Sequence, residues 1–559
     1  MFPSHRLRRI ARRVFGWERL RPAQLAAMKA VLRGRDVIAV MPTGAGKSAI
    51  YQVPGVLLKG PVVVVSPLVA LQRDQVRGLV ERGGARAAAV NSVQRRADNE
   101  LAWERLSAGE IDFVFLAPEQ LAKDDVVEQL AALRPALFVV DEAHCVSSWG
   151  HDFRPEYLRL RHAVERLGRP PVLALTANAA APVRAEIAEQ LGMREVQEIV
   201  AGFDRPNIHL EVVPFQDDAA KRRFVVERAA AEPKPGIVYA ATRRDAEAYA
   251  AELAELNLSA AAYHAGLRAG ERSAVHDRFT AGELDVVVAT SAFGMGIDKA
   301  DVRFVLHASV PGSLDAYYQE IGRAGRDGEP ARAVLAYRSQ DLGMQRFFAA
   351  GGADAGILTK VADEIRGGSG PVAAADLRTR CDVSATRLSA ALNLLEQADA
   401  VRSAPEGSVW AEPGLDAAAA VEQALRVAEG HRLLERSRVD MMRGYAETTG
   451  CRRRFLLGYF GEEVRVPCGG CDICAPGRAE RGEPGPVERA PAAPVAAVPA
   501  ARHPYRPGVR VAHTQWGEGE VMSEDDGKVT VLFTSVGYRT LSLSVVTENK
   551  LLTTVTGGR

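Results

Sequence analysis

From residue 37 to 337 the chain repeats one pattern: short β-branched runs, each followed by an Ala-, Leu- and Arg-rich segment of helical length. The runs are VIAV, VVVV, FVFL, LFVV, VLAL, IVYA, VVVA, FVLH and AVLAY. A strand that is apolar at every position is buried on both faces, and strands alternating with helices form parallel sheets covered by helices. A span of roughly 300 residues is long for one sheet. The loop-like stretch AGFDRPNIHL at 201–210 therefore divides it into two α/β domains joined near Asp204.

Beyond residue 354 the pattern changes. ILTKVADEIR, AAADLRTRC and SATRLSAALNLLEQADAV repeat apolar residues at helical spacing, and VRSAPEGSVWAE places a turn between two strand-like runs. Three helices and a hairpin predict a winged-helix-like module over 354–412, with Ser384 as the N-cap of its third helix and Leu388, Leu392 and Leu395 on one face. A helical spacer is the alternative. Residues 476–505 are Pro, Ala, Gly, Arg and Glu with almost nothing to bury, which predicts a disordered linker. Residues 506–559 return to short strands with Gly and Asp-Gly turns, which predicts a small β-barrel of Tudor or SH3 type. The two α/β domains occupy 1–203 and 204–350, and 413–475 is left for a cysteine-bearing module.

Composition narrows the class. The 559 residues suggest about four domains. With 47% hydrophobic and 25% charged residues the chain is an ordinary globular protein. Lys plus Arg total 71 against 70 Asp plus Glu, so nucleic acid would have to be held by local patches. The sequence lacks a run of about 18 apolar residues and a leader-like start, which predicts a protein of the bacterial cytoplasm or nucleoid. Four of the six cysteines fall between Cys451 and Cys474, a clustering that points to a metal.

Three motifs carry chemistry. VIAVM runs into PTGAGKS, in which Thr43, Gly44, Gly46, Lys47 and Ser48 form a phosphate loop. Glycines let backbone N–H groups close on phosphate oxygens, Lys47 reaches the β and γ phosphates, and Ser48 can hold Mg²⁺. LFVV ends in Asp141-Glu142-Ala143-His144. An acidic pair at the end of a buried strand suits Mg²⁺-assisted hydrolysis, Asp141 orienting the metal shell and Glu142 polarising the attacking water. The second half ends in QEIGRAGRD, where Arg323 and Arg326, three apart on a helix, are arginine-finger candidates. The alternative for them is a solvated basic face.

Taken together, FGWERLRPAQ, MPTGAGKS, SPLVALQRDQ, DEAHCVSSWGHDFRPEY, YHAGL, ATSAFGMGIDK and YYQEIGRAGRDG, in that order, resemble a superfamily 2 DNA helicase of the RecQ family. The resemblance runs from about Phe15 to Tyr337 and includes the cysteine cluster. It implies two tandem RecA-like domains that bind ATP and Mg²⁺. It further implies that Gln24 and Arg21 read adenine and that Trp17 stacks on the base; a Gln amide can pair with adenine's N6 and N7. WGHDFRPEY would be the aromatic-rich loop that couples single-strand contact to hydrolysis, with Trp149, His151, Phe153 and Arg154 on DNA. The alternative for Trp149, Phe153 and Tyr157 is core packing. Thr290, Gly294, Gly296 and Asp298 look like the motif that touches both the DNA backbone and the nucleotide's ribose.

Cys451, Cys468, Cys471 and Cys474 supply four thiolates with two consecutive C-x₂-C steps. That set suits structural tetrahedral Zn²⁺, with an iron–sulfur cluster as the alternative; relatives hold zinc at this spacing. Arg452, Arg453 and Arg454 are then phosphate contacts or a solvated helix face.

Two departures from the family stand out. Asn178 in ALTANAA occupies a place where relatives carry Thr, which bears on coupling between ATP and DNA. The winged-helix candidate precedes the cysteines, whereas relatives place theirs afterwards. The tail VRVAHTQWGEGEVM is similar instead to the Tudor-like tail of some superfamily 1 repair helicases, with Trp516, Phe533 and Tyr538 as a protein-partner surface or a barrel core. The resemblance implies ATP-driven 3′-to-5′ unwinding of tailed or forked DNA in recombination, repair and replication. The alternatives are a nucleic-acid-gated ATPase scaffold and an RNA helicase.

Overall fold

The computed structural model describes residues 3–67, 69–81, 85–91, 94–147, 154–293, 299–349, 353–368, 370–404, 407–464, 467–475, 504–525 and 527–555. The first domain is built on seven parallel strands: β1 Val37–Val40, β2 Val62–Val65, β3 Ala87–Val90, β4 Phe113–Leu116, β5 Leu137–Val140, β6 Val172–Thr176 and β7 Gln197–Val200. Their order is β3-β4-β2-β5-β6-β1-β7. The second is a six-stranded parallel sheet of β8 Ile208–Pro214, β9 Gly236–Tyr239, β10 Ala260–Tyr263, β11 Val286–Ala289, β12 Phe304–His307 and β13 Ala331–Tyr337, in the order β10-β11-β9-β12-β13-β8. Asp204 lies between β7 and β8, on the segment that joins the two sheets.

The strands visible in the sequence are the central ones, buried at every position. The four the pattern does not reveal, β3, β7, β8 and β10, are all sheet edges. An edge strand is covered on fewer sides, so alanine or alternating polarity is tolerated there.

Residues 355–411 form helices Ala355–Gly367, Ala374–Cys381 and Ala385–Gln397 with a three-stranded antiparallel sheet: β14 Val372–Ala373, β15 Val401–Ser403 and β16 Ser408–Ala411. Ser384 Oγ accepts from the Arg387 N–H at 3.3 Å, and Leu388, Leu392 and Leu395 are buried. This unit has its own core, closed by Ala420, Val421 and Ala424 of the long helix Ala417–Glu447. The far end of that helix and the helix Arg452–Tyr459 pack onto the second α/β domain. There Cys471 bridges Leu210 of β8 in parallel fashion, so the cysteine module covers that sheet edge.

The tail is a five-stranded antiparallel sheet of β17 Arg510–His513, β18 Gly517–Asp525, β19 Lys528–Phe533, β20 Gly537–Ser542 and β21 Leu552–Thr554, in the order β20-β19-β18-β17-β21. It encloses a small core around Val511, Val529, Val531 and Phe533. The linker predicted at 476–505 lies, except for His503's followers at 504–505, outside the described residues. Among the described residues no helix is long and apolar enough to cross a membrane.

Candidate nucleotide site and metal centre

The phosphate loop leaves the C-terminal end of β1, which is held between β6 and β7. Gly44 and Gly46 have φ of +77° and +76°, the left-handed region where a side chain is strained. Both also sit under close neighbours. A Cβ on Gly44 would lie 2.9 Å from Arg326 Cγ, and one on Gly46 would lie 2.7 Å from Gln24 Nε2. Lys47 Nζ donates to Met41 O at 3.4 Å. Burial pushes the Lys47 pKa down; Glu142 and Asp141 raise it in part, and Arg326 lowers it further. A desolvated ammonium lodged in a loop of backbone amides is a site for an anion.

Across the sheet, β5 delivers Asp141 and Glu142. Asp141 is buried: its Oδ2 accepts from Gln75 Nε2 at 3.2 Å, its Oδ1 from the Glu142 N–H at 3.0 Å, and Gln75 Oε1 accepts from Tyr51 Oη at 2.9 Å. Burial pushes its pKa up, opposed chiefly by Lys47. Glu142 adopts φ +48°, ψ +49°, strained for a non-glycine residue, and backbone strain of this kind gathers at functional sites. His144 Nδ1 lies 3.4 Å from Glu142 Oε2 and 3.1 Å from Thr176 Oγ1, which in turn donates to Asn178 O at 2.9 Å. The carboxylate is thereby joined to the end of β6, where Asn178 Nδ2 reaches Asp315 O of the second domain at 3.5 Å.

The two arginines do not share a helical face. The helix Leu314–Ile321 stops at Gly322, and Arg323 and Arg326 follow in turns. Arg323 is buried in the second domain close to Tyr239, whereas Arg326 crosses the cleft and lays its aliphatic stem over Gly44. The structure thus brings Thr43, Gly44, Gly46, Lys47, Ser48, Asp141, Glu142 and Arg326 together and leaves Arg323 behind them.

On the expected base side, Trp17 stacks on Phe15 with 4.8 Å between centroids. Gln24 Oε1 accepts from the Arg21 N–H at 2.8 Å, and Gln24 Nε2 donates to Ala45 O and Gly46 O, both at 3.0 Å. Its amide here grips the phosphate loop, while Arg21 is exposed.

Of the expected DNA contacts, Trp149, His151 and Phe153, together with Asp298 of the ribose motif, lie outside the described residues. Thr290, at the end of β11, is half-buried, its Oγ1 accepting from the Ala292 N–H at 3.4 Å. Arg154 Nη1 reaches Pro67 O at 3.4 Å. Tyr157 is core: it is fully buried and its hydroxyl donates to Asp141 O at 3.4 Å.

Two further residues shape the site. Gln75, the last residue of SPLVALQRDQ, relays between Tyr51 and Asp141; the motif marked the stretch but not this role. Arg205 donates to Thr43 O at 3.2 Å and to Gly322 O at 3.1 Å, spanning the cleft. Its place in the joining stretch was its only signal.

The four cysteine sulfurs lie within 4.8 Å of one another. Tetrahedral Zn–S bonds of about 2.3 Å require sulfurs about 3.8 Å apart, so the set fits zinc. Backbone N–H groups of Arg454, Gly470 and Cys474 point at the sulfurs of Cys451, Cys468 and Cys471 at 3.4–3.5 Å, as thiolates favour. Bound zinc would cross-link the two ends of the module. Arg452 and Arg453 are neither phosphate contacts nor a solvated face. Both are buried: Arg452 donates to Tyr445 O and Ala446 O and pairs with Asp472, and Arg453 donates to Ile208 O.

Three family models match the chain: DEAD/DEAH box helicase at 21–185, helicase conserved C-terminal domain at 220–328 and RecQ zinc-binding at 418–475. The ATP-dependent DNA helicase RecQ of Bacillus subtilis is 34% identical over 85% of this chain and 68% of its own length. RecQ of Haemophilus influenzae is 33% identical over 83% and 63%, and the probable ATP-dependent DNA helicase RecS of B. subtilis is 42% identical over 59% and 66%. The chain therefore spans about two thirds of the length of these relatives. Among solved structures, the DUF1998 helicase MrfA bound to DNA superposes with a TM-score of 0.52 at 17% identity, covering 75% of this chain and 64% of MrfA, a likeness of fold. With the nucleotide cleft, the cysteine cluster and these matches in agreement, the chain belongs to the RecQ family of ATP-dependent DNA helicases.

Proposed function

We propose that this chain hydrolyses ATP in the cleft between its two parallel-sheet domains and uses the cycle to move 3′-to-5′ along single-stranded DNA, unwinding tailed or forked duplexes in recombination and repair, in the bacterial cytoplasm or nucleoid. The observation that carries the reading is Arg326 of the second domain lying over Gly44 of the first, opposite Lys47, Asp141 and Glu142.

The residues divide the work. Loop amides and Lys47 hold the β and γ phosphates, and Ser48 and Asp141 are placed to hold Mg²⁺, which when bound offsets phosphate charge. Glu142, held by its left-handed backbone and His144, orients the attacking water and accepts its proton. Arg326 meets charge developing on the transferred phosphoryl group from the other side. Its arrival depends on domain closure, which is how hydrolysis becomes linked to movement on DNA. On the DNA side we assign Thr290 and Arg154, with Trp149, His151 and Phe153 of the aromatic-rich loop.

The unit at 354–412 is read as a winged-helix module. Should a protein partner use the tail, it would meet the half-exposed Trp516 and its neighbour Arg539, because Phe533 and Tyr538 are buried. The test is strand displacement with ATP and Mg²⁺ on duplexes bearing a 3′ or a 5′ single-stranded tail, with Glu142→Gln as control. Unwinding of the 3′-tailed substrate alone is expected. DNA-stimulated hydrolysis without unwinding would favour a gated scaffold instead.

A further inference from the structure

We infer that Arg205 is a positioning residue that sets the spacing between the phosphate loop and the arginine-finger loop, and that the cysteine module fixes Arg205 through Arg453. The inference rests on the ATPase reading above and deepens it.

Arg205 sits on the segment between β7 and β8 and uses its guanidinium entirely on backbone. Nη1 donates to Thr43 O at 3.2 Å and to Gly322 O at 3.1 Å; Nη2 donates to Ala324 O at 2.7 Å and Gly325 O at 2.9 Å. One acceptor precedes Gly44 in the phosphate loop, and the other three flank Arg323 and lead into Arg326. These are the two loops that must approach a triphosphate from opposite sides. A planar fork can satisfy four carbonyls in fixed geometry, which the single ammonium of a lysine cannot. Burial pushes the Arg205 pKa down. The group is thus desolvated in favour of these carbonyls rather than held by a carboxylate.

The segment carrying Arg205 is clamped by the cysteine module. Arg453 Nη1 donates to Arg205 O at 2.8 Å and to the Asp204 carboxylate, and its Nη2 donates to Ile208 O at 2.6 Å. Phe203 stacks on Phe460, 4.9 Å between centroids and 17° between planes, and Tyr318 Oη donates to Phe203 O at 2.8 Å. Residues 203–208 are therefore held between the helix that follows Cys451 and the helix that precedes Arg323. Misplacing a reacting group by about 1 Å can slow a reaction about a hundredfold, so a residue that sets this spacing acts on kcat more than on binding.

The experiment uses the full-length, zinc-loaded protein and the variants Arg205→Ala, Arg205→Lys, Arg326→Ala and Arg205→Ala/Arg326→Ala. Readouts are kcat and KM for ATP at saturating single-stranded DNA, affinity for a fluorescent ATP analogue, zinc content and thermal unfolding. Arg205→Ala should lower kcat about tenfold to a hundredfold and change analogue affinity by less than about threefold. Because Arg205 acts through Arg326, its removal should add little once Arg326 is gone. Arg205→Lys should fall close to Arg205→Ala, and it carries the test should the alanine variant lose zinc or fold. Arg453→Lys, retaining its zinc, should reproduce a milder form of the same kcat loss. The inference is overturned by an Arg205→Lys or Arg205→Ala kcat within about threefold of wild type, or by losses that multiply in the double variant. A wild-type protein without ATPase activity would overturn the functional reading as well, so the two failures are distinguishable.

Discussion

Tyr538 of the C-terminal sheet stacks on Tyr459 of the zinc-binding module, with 4.7 Å between centroids and 27° between planes. The Tyr459 hydroxyl continues the line by donating to the Asp315 carboxylate, at the start of the helix that leads to Arg323. On the other side the Tyr538 N–H donates to Ser437 Oγ at 3.0 Å. The tail thus docks on the body of the protein through a residue that the sequence offered as a partner surface.

Releasing the tail should be possible without damaging the motor. Tyr538→Ala should weaken docking by about 2–4 kcal/mol. Gly537→Val should do the same by steric conflict, since a Cβ there would lie 2.3 Å from Ser437 Oγ. Limited proteolysis should then remove the tail faster at the 476–503 stretch while ATPase activity stays within about threefold. Unchanged cleavage in both variants would refute the docked arrangement.

Hydrolysis should hinge on Glu142. Glu142→Gln should retain nucleotide binding and lower kcat at least about a hundredfold, because general-base contributions run from about 10² to 10⁴. Lys47→Ala should lose nucleotide affinity as well. Fluorescent-analogue titration alongside steady-state turnover separates the two effects.

Gln24 should matter for binding more than for chemistry. Gln24→Ala removes both hydrogen bonds to the phosphate loop, at Ala45 O and Gly46 O, and should raise KM for ATP about tenfold with kcat little changed. A fall in kcat at constant KM would assign it a different role.

Asp141 gives the protein's stability a pH signature. Burial raises its folded-state pKa above the unfolded value, so its contribution to stability is full below the unfolded carboxylate range and is lost as pH rises through the raised pKa. Asp141→Asn removes that dependence. The variant should unfold at a higher temperature than wild type at neutral pH, with the gap closing toward about pH 4, and should not hydrolyse ATP. A wild-type protein more stable than the variant across this range would contradict the sign.

Metal removal should loosen the module from the second domain. Cys471 is fully buried and its backbone bridges Leu210 of β8, so Cys471→Ser should lose the metal and lower the unfolding temperature. Elemental analysis should find one zinc per chain. A brown protein with iron in its place would support the iron–sulfur alternative.

By itself the sequence determined what depends on short-range pattern. Apolar runs located the central strands because a strand covered on both faces must be apolar throughout. The phosphate loop, Asp141, Glu142 and the four cysteines were legible because backbone approach, metal ligation and water activation each demand particular residue types at close spacing. Tertiary structure decided what depends on residues far apart in the chain. β3, β7, β8 and β10 exist as strands because neighbours complete them. Arg452 and Arg453 read as a basic face yet are buried, because carbonyls and two aspartates, Asp472 and Asp204, from elsewhere in the fold converge on them. Arg323 and Arg326 look equivalent until the helix stops at Gly322 and only Arg326 reaches across the cleft. Arg205 belongs to no motif; its role comes from four carbonyls that the fold alone brings together.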